Sequence, residues 1–154
     1  MEQKTKIEAQ EGKQDVIITR EFNLPVELLY KAYSEAHFVE QWMGTKVLKL
    51  ENKTHGSYEF ETSYNGNVVF RANGTIHNVV ANQSIVRTFE MENMTIGVQL
   101  EFLTFEALGH ETSKLSIKII YQSEKHRAEQ MKLPFAYGLN MAHDTLETLK
   151  FNKP

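Results

Sequence analysis

The stretch PVELLYKAYSEAHFVEQWMG, Pro25–Gly44, decides how the rest of the chain is read. Val26, Leu29, Tyr30 and Tyr33 recur at steps of three and four, which is helical spacing. Asn23 is the expected cap, and Pro25 suits a first helical turn, where no amide donor is needed. A second, shorter helix is expected over about residues 35–42, with Gly44 as its stop. Before this stretch lies DVIITREF, residues 15–22, rich in β-branched side chains and read as a strand. After it the period changes to two. Two small helices carrying Leu28, Leu29, Tyr30, Tyr33, Phe38 and Trp42 therefore stand between the first strand and the rest of a sheet. They are expected to plug one end of that sheet, with Trp42, the only tryptophan, near the rim.

Strands are predicted at 46–52, 57–64, 67–80, 84–92, 97–108 and 113–121. The dipeptide Asn65-Gly66 marks a hairpin, and Gly74 is expected at a bulge or a bend. In 113–121, Leu115, Ile117, Ile119 and Tyr121 share one face, and Ser116 and Lys118 lie on the other. In 97–108 the parity conflicts: Val98, Leu100 and Phe102 alternate, then Leu103 and Phe105 take over. A bulge would reconcile the two sets, and which set is inside stays open. From about 124 to 151 the pattern is helical. Ala128, Met131, Phe135, Gly138, Leu139, Ala142, Leu146 and Leu149 form an apolar stripe, interrupted at Pro134, where a kink or break is expected. Short turns between consecutive strands imply an antiparallel sheet. Its apolar face needs a cover, and the C-terminal helix is the only element long enough.

The chain has 154 residues, 41% hydrophobic, with net charge −3 and no cysteine. No basic stripe argues for nucleic acid, and no polybasic arm or long apolar run argues for a membrane. The absence of cysteine excludes disulfides and thiolate chemistry and fits a cytoplasmic protein. The polar start MEQKTKIEAQEGKQ does not read as a secretory signal, and residues 1–14 are expected to be a flexible segment ahead of a folded unit at 15–151.

ITREFNLPVELLYKAYSEAHFVEQWMG (18–44) resembles the opening of the activator-of-heat-shock-protein-90-ATPase-like proteins of the START-like superfamily. Pro25, Leu29, Tyr30, Ala32 and Trp42 fall at positions of that family's pattern. HGSYEF (55–60) is similar to its glycine-aromatic strand, with His55 replacing the first glycine. FRANGTIHNVVANQSIVRTFE (70–90), FEALGHETSKLSI (105–117) and YGLNMAHDTLETL (137–149) resemble later segments in order. Phe89 and Leu139 stand where tryptophan is common, and Ala81–Asn82 replaces a customary proline turn. The resemblance implies an α+β helix-grip fold: a curved antiparallel sheet of about seven strands wrapped on a long C-terminal helix, forming one START-like domain. It also implies an apolar cavity between sheet and helix.

Parity and the resemblance together nominate Trp42, Tyr58, Phe60, Phe70, Arg87, Phe89, Ile117, Tyr121, Met131, Phe135 and Leu139 as ligand-binding residues. Arg87 shares the parity of Ile85 and Phe89. If it points inward it needs a partner, either Glu101 or a ligand carboxylate; otherwise it lies outward or at the sheet edge. The six histidines, at 37, 55, 77, 110, 126 and 143, include no HxH or HxxxH pair, and no metal or cofactor is expected. No Walker loop, Rossmann fingerprint or nucleophile elbow is present. The expected partner is an apolar small molecule. A chaperone-interaction module and a cyclase- or hydrolase-type enzyme using the same cavity stay open, as does a homodimer.

Overall fold

The computed structural model describes residues 4–151. Its elements run β1 (Lys6–Glu8), β2 (Asp15–Phe22), α1 (Val26–Ser34), α2 (Ala36–Met43), β3 (Lys46–Leu50), β4 (Ser57–Tyr64), β5 (Asn67–Val80) and β6 (Ser84–Met91). They continue with β7 (Val98–Ala107), β8 (Ser113–Ile120), α3 (Glu124–Met131) and α4 (Phe135–Glu147). One curved antiparallel sheet has the order β1-β2-β8-β7-β6-β5-β4-β3, so the early strand β2 pairs with the last. This is the helix-grip architecture, with eight strands rather than about seven. The additional strand is β1, paired with β2 through Ile7↔Ile18, inside the stretch expected to be flexible. Residues 1–3 of that stretch lie outside the described residues.

Alternation is cleanest in the pair β2 and β8. Val16, Ile18, Arg20 and Phe22 of β2 face inward, against Ser113, Leu115, Ile117 and Ile119 of β8. Asn65 and Gly66 both have positive φ, 52° and 81°, the geometry of a tight two-residue hairpin. His55 also holds a left-handed φ of 68°, which accounts for the glycine that the resembling family favours there.

Several expectations are corrected. Asn23 does not cap α1; its amide donates to Glu147 Oε2, and Pro25 stands at the cap position. The bulge in β5 falls at His77, between the pairs Ile76↔Arg87 and Asn78↔Val86, not at Gly74. Gly74 serves close approach instead, because a Cβ there would run into the Thr88 carbonyl and the Tyr58 ring. β7 has no bulge: its register with β6 and β8 is unbroken. Gln99, Glu101, Leu103 and Phe105 face inward, and Val98 and Phe102 are exposed. The break expected at Pro134 is present and divides the C-terminal segment into two helices at Lys132–Pro134. α3 buries Arg127 and Gln130, and Met131 is 39% exposed. The break uncouples the phase of α3 from α4, so a stripe extended back from α4 selects the wrong face. Arg127 anchors α3 by donating to the carbonyls of Gln10 and Asp15.

The short helices close one end as expected. Leu29, Ala32, Tyr33, Val39 and Trp42 join the core, and Trp42 Nε1 donates to the Ala32 carbonyl at 2.8 Å, locking α2 onto α1. No helix among the described residues is long and apolar enough to cross a membrane.

Candidate functional site

A cavity of about 250 Å³ lies between the inner face of the sheet, α2 and the two C-terminal helices. From the sheet come Ile18, Phe60, Arg87, Phe89, Met91, Gln99, Glu101, Ile117 and Ile119. Tyr33, Val39, Trp42 and Met43 come from α1 and α2, Gln130 from α3, and Phe135, Leu139 and Ala142 from α4. Most of this wall is apolar, with a short polar strip along β6, β7 and α3. Two larger clefts lie elsewhere, one of about 490 Å³ bordered by Lys4, Lys6, Lys114 and Glu147 and one of about 660 Å³ bordered by His37, Phe38, Gln41 and Leu149.

The residues nominated from sequence divide. Trp42, Phe60, Arg87, Phe89, Ile117, Phe135 and Leu139 line the cavity. Tyr58 sits behind it, fully buried, with its hydroxyl donating to the Thr88 carbonyl. Phe70 packs against the core further along β5. Tyr121 is buried outside the wall, and its hydroxyl has no hydrogen-bond partner. Met131 is displaced to the exposed side of α3 for the reason given above. Tyr33, Gln99 and Gln130 were not nominated. The signal for Gln99 was available: it shares parity with Glu101, Leu103 and Phe105, and only its polarity argued against an inward position.

Arg87 faces inward, which resolves the choice left open by parity. Its Nε donates to Glu101 Oε1 at 2.9 Å, with side-chain exposures of 13% and 8%. Gln99 Nε2 donates to Glu101 Oε2 at 2.8 Å, so both carboxylate oxygens are engaged. The guanidinium carbon stands 5.0 Å from the Tyr58 ring centroid, within cation–π range. Burial works against its charge, but Tyr58 and Glu101 outweigh that and hold its pKa above the ordinary value. Neither Nη nitrogen of Arg87 has a hydrogen-bond partner among the described residues, and neither is sealed from probe-sized molecules. Gln130, 5% exposed, likewise directs a side-chain amide with no protein partner to the same wall.

Behind the cavity a second polar group is closed. His143, fully buried, meets Tyr33 Oη at 2.9 Å and Thr5 Oγ1 at 2.8 Å. Burial, helped by nearby Arg20, pushes the His143 pKa down to about 3, so the imidazole is neutral. Arg20 Nη1 donates to Thr5 Oγ1 at 3.2 Å and to the backbone and side-chain oxygens of Asn140 at 3.4 Å, and the guanidinium also pairs with Asp144 at 2.9 Å and Glu147 at 2.8 Å. Burial raises the Tyr33 pKa well above that of a free phenol, so this hydroxyl keeps its proton.

Chemically the cavity offers hydrogen-bond donors on an apolar floor. Glu101 is occupied as an acceptor, and His143 lies outside the wall. Arg87, His77 and Tyr121, the grouping that an enzyme of this shape would draw on, are not brought together: His77 is exposed beside His55 and Tyr121 is sealed. Among the described residues no group of three or more His, Asp or Glu could hold a metal ion.

The sequence profile described as activator of Hsp90 ATPase homolog 1-like protein matches residues 23–149. No curated protein matches. Among solved structures, protein Ms6760 from Mycobacterium smegmatis superposes with a TM-score of 0.83 at 17% identity, over 97% of this chain and 98% of that one. A protein from Rhodobacter sphaeroides gives 0.82 at 15% identity, over 93% and 95%. CalU16 from Micromonospora echinospora gives 0.63 at 15% identity, over 96% and 86%. At these identities the likeness is one of fold.

Proposed function

The chain belongs to the family of activator of Hsp90 ATPase homolog 1-like proteins, and on that premise we propose that it binds an apolar small molecule in the cavity between the sheet and α4. The observation that carries this reading is Arg87: a charged side chain on an apolar wall, with one nitrogen paired and two left open. Small-ligand sites are typically apolar with a few placed polar groups, as here. The volume of about 250 Å³ suits a compact molecule, roughly eight water-sized groups, rather than a long acyl chain. No residue position supports the reading as a chaperone-interaction module in the same way.

A ligand that binds only the folded state raises its melting temperature. The test is a thermal-shift panel of compact apolar compounds on the wild type and on Leu139→Trp, which fills the cavity from α4. Some panel members are expected to stabilise the wild type and to lose that effect in the variant. No shift from any member, or equal shifts in both proteins, would contradict the proposal.

A further inference from the structure

The cavity's charges are balanced before any ligand arrives. Among the described residues Arg87 and Glu101 are the only ionised groups on its wall, and they are bonded to each other at 2.9 Å. A ligand carboxylate on the free Nη edge of Arg87 would place a second anion beside Glu101 on a mostly apolar wall, leaving net negative charge there. A neutral carbonyl or amide oxygen takes the same two donors without that penalty.

The remaining polar groups also match a neutral acceptor. Arg20 donates to Thr5 Oγ1, and among the described residues the threonine's own proton has one acceptor, His143 Nδ1. His143 then carries its proton on Nε2 and donates to Tyr33 Oη. That leaves the Tyr33 proton free on a residue of the cavity wall. The opposite tautomer would instead strand the Thr5 proton beside the Arg20 guanidinium. Gln130 adds an amide that can both donate and accept, buried and without a protein partner. Donors dominate, and no uncompensated positive charge accompanies them.

We infer that the cavity selects an uncharged, compact apolar molecule bearing a carbonyl-type acceptor, and discriminates against the corresponding carboxylate through the Arg87–Glu101 pair. This rests on the ligand-binding reading above and names the chemical class it requires. Trp42 lines the cavity and is the chain's only tryptophan, so its fluorescence reports occupancy.

The test titrates wild type and Glu101→Gln with cyclohexanecarboxamide, cyclohexanecarboxylate and methylcyclohexane at neutral pH, reading Trp42 emission and melting temperature. These probes share one apolar body and do not absorb where tryptophan does. In the wild type the carboxamide is expected to bind about tenfold or more tighter than the carboxylate, and tighter than methylcyclohexane. Glu101→Gln removes the standing anion and should raise carboxylate affinity about tenfold while leaving the carboxamide little changed. Wild-type carboxylate binding equal to or tighter than the carboxamide would overturn the inference and leave the ligand-binding reading intact. So would methylcyclohexane matching the carboxamide, or an unchanged carboxylate preference in Glu101→Gln. No response to any probe would overturn both. If Glu101→Gln fails to fold, the wild-type ranking of the three probes still decides.

Discussion

The sheet holds two inward-facing arginines, and their surroundings differ. Arg20 on β2 is fully enclosed, with Asp144, Glu147 and Thr5 around its Nη groups and only Nε left without a partner. Arg87 on β6 has one carboxylate, engaged through Nε, and an open Nη edge on a cavity. Both positions follow from strand parity. One guanidinium is spent on closing the fold, tying β2 to the end of α4, while the other keeps unused donors. A buried charge is costly unless paired, and the two arginines meet that cost differently, one through a closed set of partners and one through a single carboxylate and a cation–π contact.

Substitution should separate these roles. The largest effect is expected at Arg20. Arg20→Met removes the buried partner of Glu147 Oε1 and the donor to Thr5 Oγ1, and should lower stability by about 3–5 kcal/mol, read from the denaturant midpoint. A midpoint near that of the wild type would remove the contrast. Next comes Gly74→Ala, where the added methyl meets the Thr88 carbonyl and Tyr58 beneath Arg87. It should cost about 2 kcal/mol in the same assay, and an unchanged midpoint would argue against that close approach. A smaller effect comes from acid. The folded His143 has its pKa pushed from 6.5 down to about 3, so the unfolded chain takes up a proton that the folded chain refuses. Its stabilising contribution is complete above pH 6.5 and falls by up to about 1.4 kcal/mol per pH unit towards pH 3. His143→Asn should flatten the slope between pH 6.5 and 5, and an identical slope in both proteins would contradict burial of a neutral imidazole. The smallest effect is expected at the other arginine. Replacing the whole pair, Arg87→Met with Glu101→Leu, should change stability by less than about 1 kcal/mol while abolishing recognition of a polar head group. A loss as large as that of Arg20→Met would mean that Arg87 is structural too.

Legibility in the sequence followed the same division. β8 could be read because Leu115, Ile117 and Ile119 alternate with Ser116 and Lys118, a contrast that only a half-buried strand produces. β7 could not, because the cavity inverts its pattern. Gln99 and Glu101 line the wall from inside, while Val98 and Phe102 sit outside. Hydrophobicity alone then suggests a bulge that does not exist. The failure of the local rule coincides with the polar strip of the cavity wall, where Gln99 and Glu101 take inward positions. Two other misses have simpler causes. β1 is three residues long, too short for any periodicity to show. The break before Pro134 was foreseen, but its consequence for the phase of α3, and so for Met131 and Gln130, depends on three-dimensional packing that no stripe on a helical wheel contains.

The central claim is that the space between Trp42, Phe89 and Leu139 is hollow and reachable. Diffraction from crystals held under xenon tests it directly, because xenon enters apolar cavities and scatters strongly. The account predicts a xenon peak within that space, beside the open edge of Arg87. A xenon-treated crystal with side chains filling the space and no peak there would contradict it.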